Sequence, residues 1–205
     1  LKKLNNKTIN IINVNFSQSK AFLKITKKSK IYIENCFNEA LLLIKKNLTN
    51  KLITGPVSKE KFLNKKYLGI TEFLQSKTKA ENAGMLIYNK KLSVSPISTH
   101  VPVKFITKNK TKNNLIKKIK LIKKFYKEQL KIDPKIAVLG LNPHCESIDT
   151  FNEDKKIINP VVKYLKKLNY KISGPHPADT SFLRDNRKKY DVIVGMYHDQ
   201  VLTPI

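Results

Sequence analysis

Three of the four histidines, His100, His144 and His198, close the segments SVSPISTH, IAVLGLNPH and DVIVGMYH. Short aliphatic runs of this kind read as buried strands, and in an open α/β sheet ligands bind just beyond the carboxyl ends of the strands. Neutral imidazoles there are good ligands for zinc, manganese, cobalt or nickel, and three of them leave coordination positions open to a substrate. The plainer alternative is that each is a hydrogen-bonded structural histidine at a strand end. Two carboxylates accompany them: Asp199 directly follows His198, and Asp179 opens a short helix one strand upstream. Either could accept the second ring N–H of a metal-bound imidazole, while Asp179 is equally explained as a helix N-cap. His176 lies between Pro175 and Pro177 and reads as a solvated loop residue. TGPVSK, residues 54–59, could offer backbone N–H groups and the Lys59 ammonium to an anion. It lacks the GK[ST] of a P-loop, and no G-x-G-x-x-G nucleotide fingerprint occurs.

The elements that must position these groups follow from periodicity. Residues 115–130 repeat apolar side chains at the spacing of three and four of an amphipathic helix, with lysine on the other face. Residues 135–141 and 191–196 read as strands buried on both faces. Between them come a helix over 153–168, a short strand over 170–173 ended by a Gly174-Pro175 break, and a helix capped by Asp179 and ending near 189. This alternation predicts an α/β fold with a largely parallel sheet. Upstream, the sequence predicts a helix over 33–46, a strand over 51–54 and two strands within 85–98 joined by a turn at Asn89-Lys90. A paired antiparallel element beside a parallel sheet suggests two lobes, approximately 1–106 and 107–205. The polar stretch 107–114 leads into a helix, and no internal repeat is visible.

The chain has 205 residues, 40% of them hydrophobic, enough for a sizeable core. Its net charge of +26 invites a nucleic-acid reading. Against it, the lysines run through the whole chain, Arg184 and Arg187 are the only arginines, tryptophan is absent, and no aromatic ladder interleaves with the basic residues. The expectation is therefore solvated lysine faces, with a positive field that favours a phosphate-bearing substrate. Cys36 and Cys145 show no C-x-x-C spacing and read as reduced thiols. With no apolar run of about 18 residues and no secretory signal pattern, a cytoplasmic protein without membrane attachment is expected. The start at Leu1 and the stop just past a strand-like run suggest part of a longer chain.

TGPVSK (54–59), GITEF (69–73), STHVPVK (98–104), LGLNPHCE (139–146), GPHPADT (174–180) and GMYHDQ (195–200) resemble, in order and spacing, the 4-hydroxythreonine-4-phosphate dehydrogenases of pyridoxal phosphate biosynthesis. The resemblance implies an isocitrate-dehydrogenase-like α/β/α fold of two lobes and a homodimer with active sites at its interface. The family's metal-binding histidines fall on His100, His144 and His198, with both partner chains contributing to each site. The divalent ion would be zinc, magnesium, cobalt or manganese. Its substrate-binding His-Thr pair falls on Ile70 and Thr71, so that one hydrogen-bonding side chain is replaced by an apolar one. The implied reaction is oxidation of 4-phosphooxy-L-threonine by NAD or NADP to 2-amino-3-oxo-4-phosphooxybutanoate, which decarboxylates to 3-amino-2-oxopropyl phosphate, with Asp179 as candidate proton acceptor. The family's nucleotide-binding residues fall beyond 205. Dehydrogenases of threonate or erythronate 4-phosphate are the neighbouring alternative.

Overall fold

A computed structural model describes residues 7–20, 22–64, 66–99, 101–106, 111–148 and 150–205. The chain divides into two compact units, Leu1–Phe73 and Leu74–Ile205. The division precedes residues 85–98, which belong to the second unit because their strand pairs with one near the end of the chain.

In the second unit the apolar runs form strands β1 (Ser93–Ser98), β2 (Ile136–Leu139), β3 (Ile172–His176) and β4 (Val192–Tyr197). They lie in the order β1-β4-β2-β3, and every pairing is parallel. Alternate side chains of a strand face opposite sides. Ile136, Val138, Val192, Val194 and Met196 accordingly pack with Leu115, Ile119 and Ile122 of α3 (Lys112–Phe125) and Val161, Val162 and Leu165 of α4 (Asn159–Lys167). Val94, Ala137, Leu139 and Ile193 pack on the other face with Val201 of α7 (His198–Leu202) and Ala178 of α5 (Ala178–Ser181). Helices thus cover both faces, which is the α/β/α architecture expected. Ile119 and Leu165 are fully buried, each worth about 1.5–3 kcal/mol, so the apolar stripe rather than the lysine-rich face anchors these helices.

Several local expectations differ from the structure. The antiparallel element in 85–98 is a single bridge, Ile87 with Val94, closed by N–H···O bonds of 2.9 and 3.0 Å. Residues 51–54 form no strand. Gly174-Pro175 does not end β3: the strand runs through a cis peptide there to His176, because Gly174 adopts φ 139° and lies against the β2 backbone. The helix expected from Asp179 to about residue 189 is two short ones, α5 and α6 (Arg184–Arg187).

In the first unit, α1 (Lys27–Lys45) starts earlier than periodicity indicates because Thr26 and Ser29 form a reciprocal cap. Thr26 Oγ1 accepts the Ser29 N–H at 3.3 Å and Ser29 Oγ accepts the Thr26 N–H at 2.7 Å. Phe37 of α1 packs on Phe62 and Phe73 at ring-centroid separations of 5.6 and 5.1 Å, the apolar centre of this unit. Among the described residues no helix is long and apolar enough to cross a membrane.

Candidate active site

The carboxyl ends of β4, β2 and β3 are neighbours in the sheet, and the predicted residues sit on the segments that leave them. His198 follows β4 as the first residue of α7, His144 lies in the loop after β2, and Asp179 lies in the first turn of α5 after β3. Residues far apart in sequence are brought to one edge because β4 inserts between β1 and β2. His198 Nδ1 lies 2.8 Å from Asp199 Oδ1, and His144 Nδ1 lies 3.9 Å from Asp179 Oδ2. Only the His198–Asp199 pair is within hydrogen-bonding distance, which favours the Nδ1–H tautomer of His198 and puts its ring lone pair on Nε2, whereas His144 and Asp179 are at ion-pair separation. The His144 ring is largely exposed, at 75% of its side-chain surface. His100 lies outside the described residues. Its strand β1 is tied to β4 at this edge by Ser98 Oγ, which donates to the Met196 carbonyl at 2.8 Å. Among the described residues, no three or more His, Cys, Asp and Glu side chains cluster in a way that could hold a metal ion.

Asp179 is not the N-cap of its helix. Pro177 occupies that position, and Asp179 Oδ1 accepts the N–H of Thr180 at 2.9 Å from within the first turn. The helix thus begins at Ala178, directly after β3 and Pro177, and the Asp179 carboxylate lies 3.9 Å from His144 Nδ1. His176 is not solvated either. It is half-buried, with Nε2 2.7 Å from Ser173 Oγ and 3.2 Å from Tyr190 OH. Burial, then the charges of Lys166 and Lys189, hold its pKa below the ordinary histidine value.

The groups that hold the His144 loop carry no catalytic motif. His144 and Cys145 both adopt left-handed backbone, φ 52° and 60°, a conformation that costs non-glycine residues energy and persists only where surroundings enforce it. Asp154, 1% exposed, lies beneath this loop. Its carboxylate accepts the N–H of Leu141 at 2.8 Å, the N–H of Asn142 at 3.1 Å and the Asn142 side-chain amide at 2.9 Å. Gly140 has no room for a side chain: a Cβ there would meet Cys145 Sγ at 2.6 Å and Asp154 Oδ1 at 2.8 Å. Burial, then the Asp154 charge, push the Cys145 thiol up to about 11, so it stays protonated as a packing group. Gln200 bridges the two central strands. Its Oε1 accepts the Met196 N–H at 2.6 Å and its Nε2 donates to the Gly140 carbonyl at 2.7 Å.

Ile70 and Thr71 open α2 (Ile70–Thr78) and are half-buried. In the first unit, residues 54–57 of TGPVSK line an open groove of about 350 Å³ with Ile33, Cys36, Phe37 and Ala40. Ser58 Oγ accepts the Lys61 N–H at 3.2 Å, a capping role that the anion reading of this motif does not include, and Lys59 is exposed.

A family model described as pyridoxal phosphate biosynthetic protein PdxA matches residues 2–205. This chain belongs to that family. A 4-hydroxythreonine-4-phosphate dehydrogenase of Sulfurihydrogenibium sp. is 36% identical over 201 residues, covering 96% of this chain and 61% of the relative. A D-threonate 4-phosphate dehydrogenase of Pectobacterium atrosepticum is 31% identical over 173 residues, covering 83% and 53%. The crystal structure of a 4-hydroxythreonine-4-phosphate dehydrogenase from Klebsiella pneumoniae superposes with a TM-score of 0.78 at 28% identity, covering 88% of this chain and 57% of that one. The PdxA-family chain thus spans about half to three fifths of the length of these relatives.

Proposed function

We propose that this PdxA-family chain belongs to an NAD(P)-dependent dehydrogenase that oxidises the 3-hydroxyl of 4-phosphooxy-L-threonine, and that His144, His198 and His100 hold a divalent cation at the carboxyl edge of the sheet. The observation that carries the proposal is the placement of His198 and His144 on the segments leaving adjacent strand ends, with Asp199 2.8 Å from His198 Nδ1 and Asp179 3.9 Å from His144 Nδ1. Imidazole nitrogens backed by carboxylates suit a divalent ion of the zinc, cobalt, manganese or magnesium group, and the set would be completed by His100, which lies outside the described residues. When bound, the ion would polarise the substrate hydroxyl and the ketone made from it, and the nicotinamide would accept the hydride.

The chain's own groups then have distinct tasks. Asp199 fixes the ring tautomer of His198, and Asp179, 58% exposed and at ion-pair distance from His144, is the candidate acceptor for the hydroxyl proton. Loss of that proton and of a hydride from C3 gives a β-keto acid, 2-amino-3-oxo-4-phosphooxybutanoate, which releases carbon dioxide to leave 3-amino-2-oxopropyl phosphate. Thr71 contributes a hydroxyl to substrate binding, whereas Ile70 contributes only apolar contact. In this reading the protein is a cytoplasmic homodimer whose partner chains share the metal ligands.

The D-threonate 4-phosphate relative supports a second reading, in which the substrate lacks the amino group. Steady-state assay of the whole enzyme to which this chain belongs with both phosphates, each with NAD and NADP, separates the two. Turnover of 4-phosphooxy-L-threonine with loss of carbon dioxide is expected, and its abolition by His144→Ala and His198→Ala. Turnover of D-threonate 4-phosphate alone replaces the first reading by the second, and unchanged metal content in both histidine variants removes the metal site.

A further inference from the structure

We infer that Asp154 is the positioning residue for His144: its buried carboxylate sets the left-handed His144-Cys145 turn and thereby the direction of the imidazole. The inference deepens the proposed metal site and rests on that reading for its consequence, though its structural basis is independent. A carboxylate at 1% exposure is costly unless its lone pairs are filled. Asp154 fills them with three donors, all from Leu141 and Asn142, the first residues after Gly140. Those residues lead directly into Pro143 and His144. The Asn142 side-chain amide is also bonded to Glu153 Oε2 at 3.2 Å, so two successive acids of the segment before α4 hold the same loop residue.

The sheet holds the start of the loop, where the Gly140 N–H donates to the His176 carbonyl at 2.9 Å and the Gly140 carbonyl accepts from Gln200, and from Leu141 onward Asp154 takes over. Pro143 has no N–H to donate, and the turn at 143–145 is closed by the Cys145 N–H to the Asn142 carbonyl at 3.0 Å and the Glu146 N–H to the Pro143 carbonyl at 3.0 Å. Those bonds define the turn but do not attach it to the sheet. Asp154 does, since it begins the π-helical turn Asp154–Ile158 that runs into α4, and Ile158 is core. Its position is also set from below, because Gly140 leaves just enough space for the carboxylate and the Cys145 thiol side by side. The His144 ring itself is exposed and has little packing to direct it. Apart from the Asp179 carboxylate 3.9 Å from Nδ1, its direction follows the backbone, which Asp154 holds at Leu141 and Asn142.

A double-substitution cycle on the intact protein tests this. Divalent-ion affinity is measured by competition with a chromophoric chelator, using zinc and manganese, for wild type, Asp154→Asn, His144→Ala and the double variant. Asn at 154 keeps one acceptor and turns an amide toward the Asn142 donors. Asp154→Asn is expected to weaken binding by about 10–100-fold and to add nothing in the His144→Ala background, because its effect passes through His144. A further independent loss in that background overturns the inference. Asn142→Ala, which removes one of the three donors, gives a smaller loss in the same direction and serves if Asp154→Asn does not fold. If wild type binds no ion, the metal reading fails, and the positioning role is then decided by hydrogen exchange. Asp154→Asn must accelerate exchange of the Leu141, Asn142 and Cys145 amides, and unchanged protection there overturns it.

Discussion

Replacing Gln200 by methionine removes two hydrogen bonds from the sheet without removing volume. The paired ladder between β2 and β4 ends at Val138–Val194. Beyond it the amide of Gln200 takes the place of a strand, receiving the Met196 N–H at 2.6 Å and donating to the Gly140 carbonyl at 2.7 Å. Both backbone groups belong to buried residues, and each buried group left without a partner costs about 1–3 kcal/mol. Relaxation and partial rehydration of the two groups in the variant lower the sum, so Gln200→Met should destabilise the protein by about 2–4 kcal/mol. Tryptophan is absent, so urea unfolding followed by far-UV circular dichroism is the suitable assay. Asp199→Asn is the control, since Asp199 is exposed and its neighbourhood includes His198 but no core, and it should stay within about 0.5 kcal/mol of wild type. A loss below about 0.5 kcal/mol for Gln200→Met would refute the view that this side chain completes the sheet at its functional edge.

Three further outcomes follow from the same structure. Gly174→Ala should cost about 3–5 kcal/mol in urea unfolding, because φ 139° strains a side-chain-bearing residue and its Cβ would press on the Val138 carbonyl of β2. His176, whose pKa burial holds below its unfolded value of about 6.5, binds fewer protons folded than unfolded. Stability is therefore lost as pH falls below the unfolded value toward the folded one, and His176→Gln should flatten that fall between about pH 7.5 and 5. Burial raises the Asp133 carboxyl, but the neighbouring Lys123 ammonium, with Lys127 and Lys171, outweighs it and leaves the pKa lowered. Its contribution is thus present above the unfolded carboxylate range and lost as pH falls through the folded value. Asp133→Ala should cost about 1–3 kcal/mol, since Lys123, only 9% exposed, loses the carboxylate 3.4 Å away.

How far the fold was legible depended on whether one period dominated a segment. Residues 135–141 and 191–196 are short apolar runs that read as strands buried on both sides, and strands form at 136–139 and 192–197, while the lysine face of 115–130 reads as a helix. Residues 85–98 mix the signals: the alternation suggests a hairpin, yet Pro96 lies inside β1, which pairs with β4, and only Ile87 and Val94 pair across the turn. Gly174-Pro175 reads locally as a stop. It is instead a strand segment, because the missing Cβ of Gly174 lets β3 approach β2 closely.

The site was legible to the extent that chemistry depends on residue type at strand ends. His144, His198, Asp179 and Asp199 are found by that rule, and the parallel order explains why they share an edge. Asp154 and Gln200 are not, because what makes them important is the partner each reaches: backbone groups from segments thirteen and sixty residues away. Periodicity has no term for such a bond. The available hint was a carboxylate at the opening of an otherwise apolar helix face, at Asp154, and an amide in the turn after a buried strand, at Gln200. Both are polar groups where solvent is scarce, and a buried acceptor must find donors. Here the donors are the backbone of the loop that carries a candidate metal ligand. If Asp154 positions His144 as inferred, substitutions at Asp154 separate a site held in place from one merely composed of the right side chains.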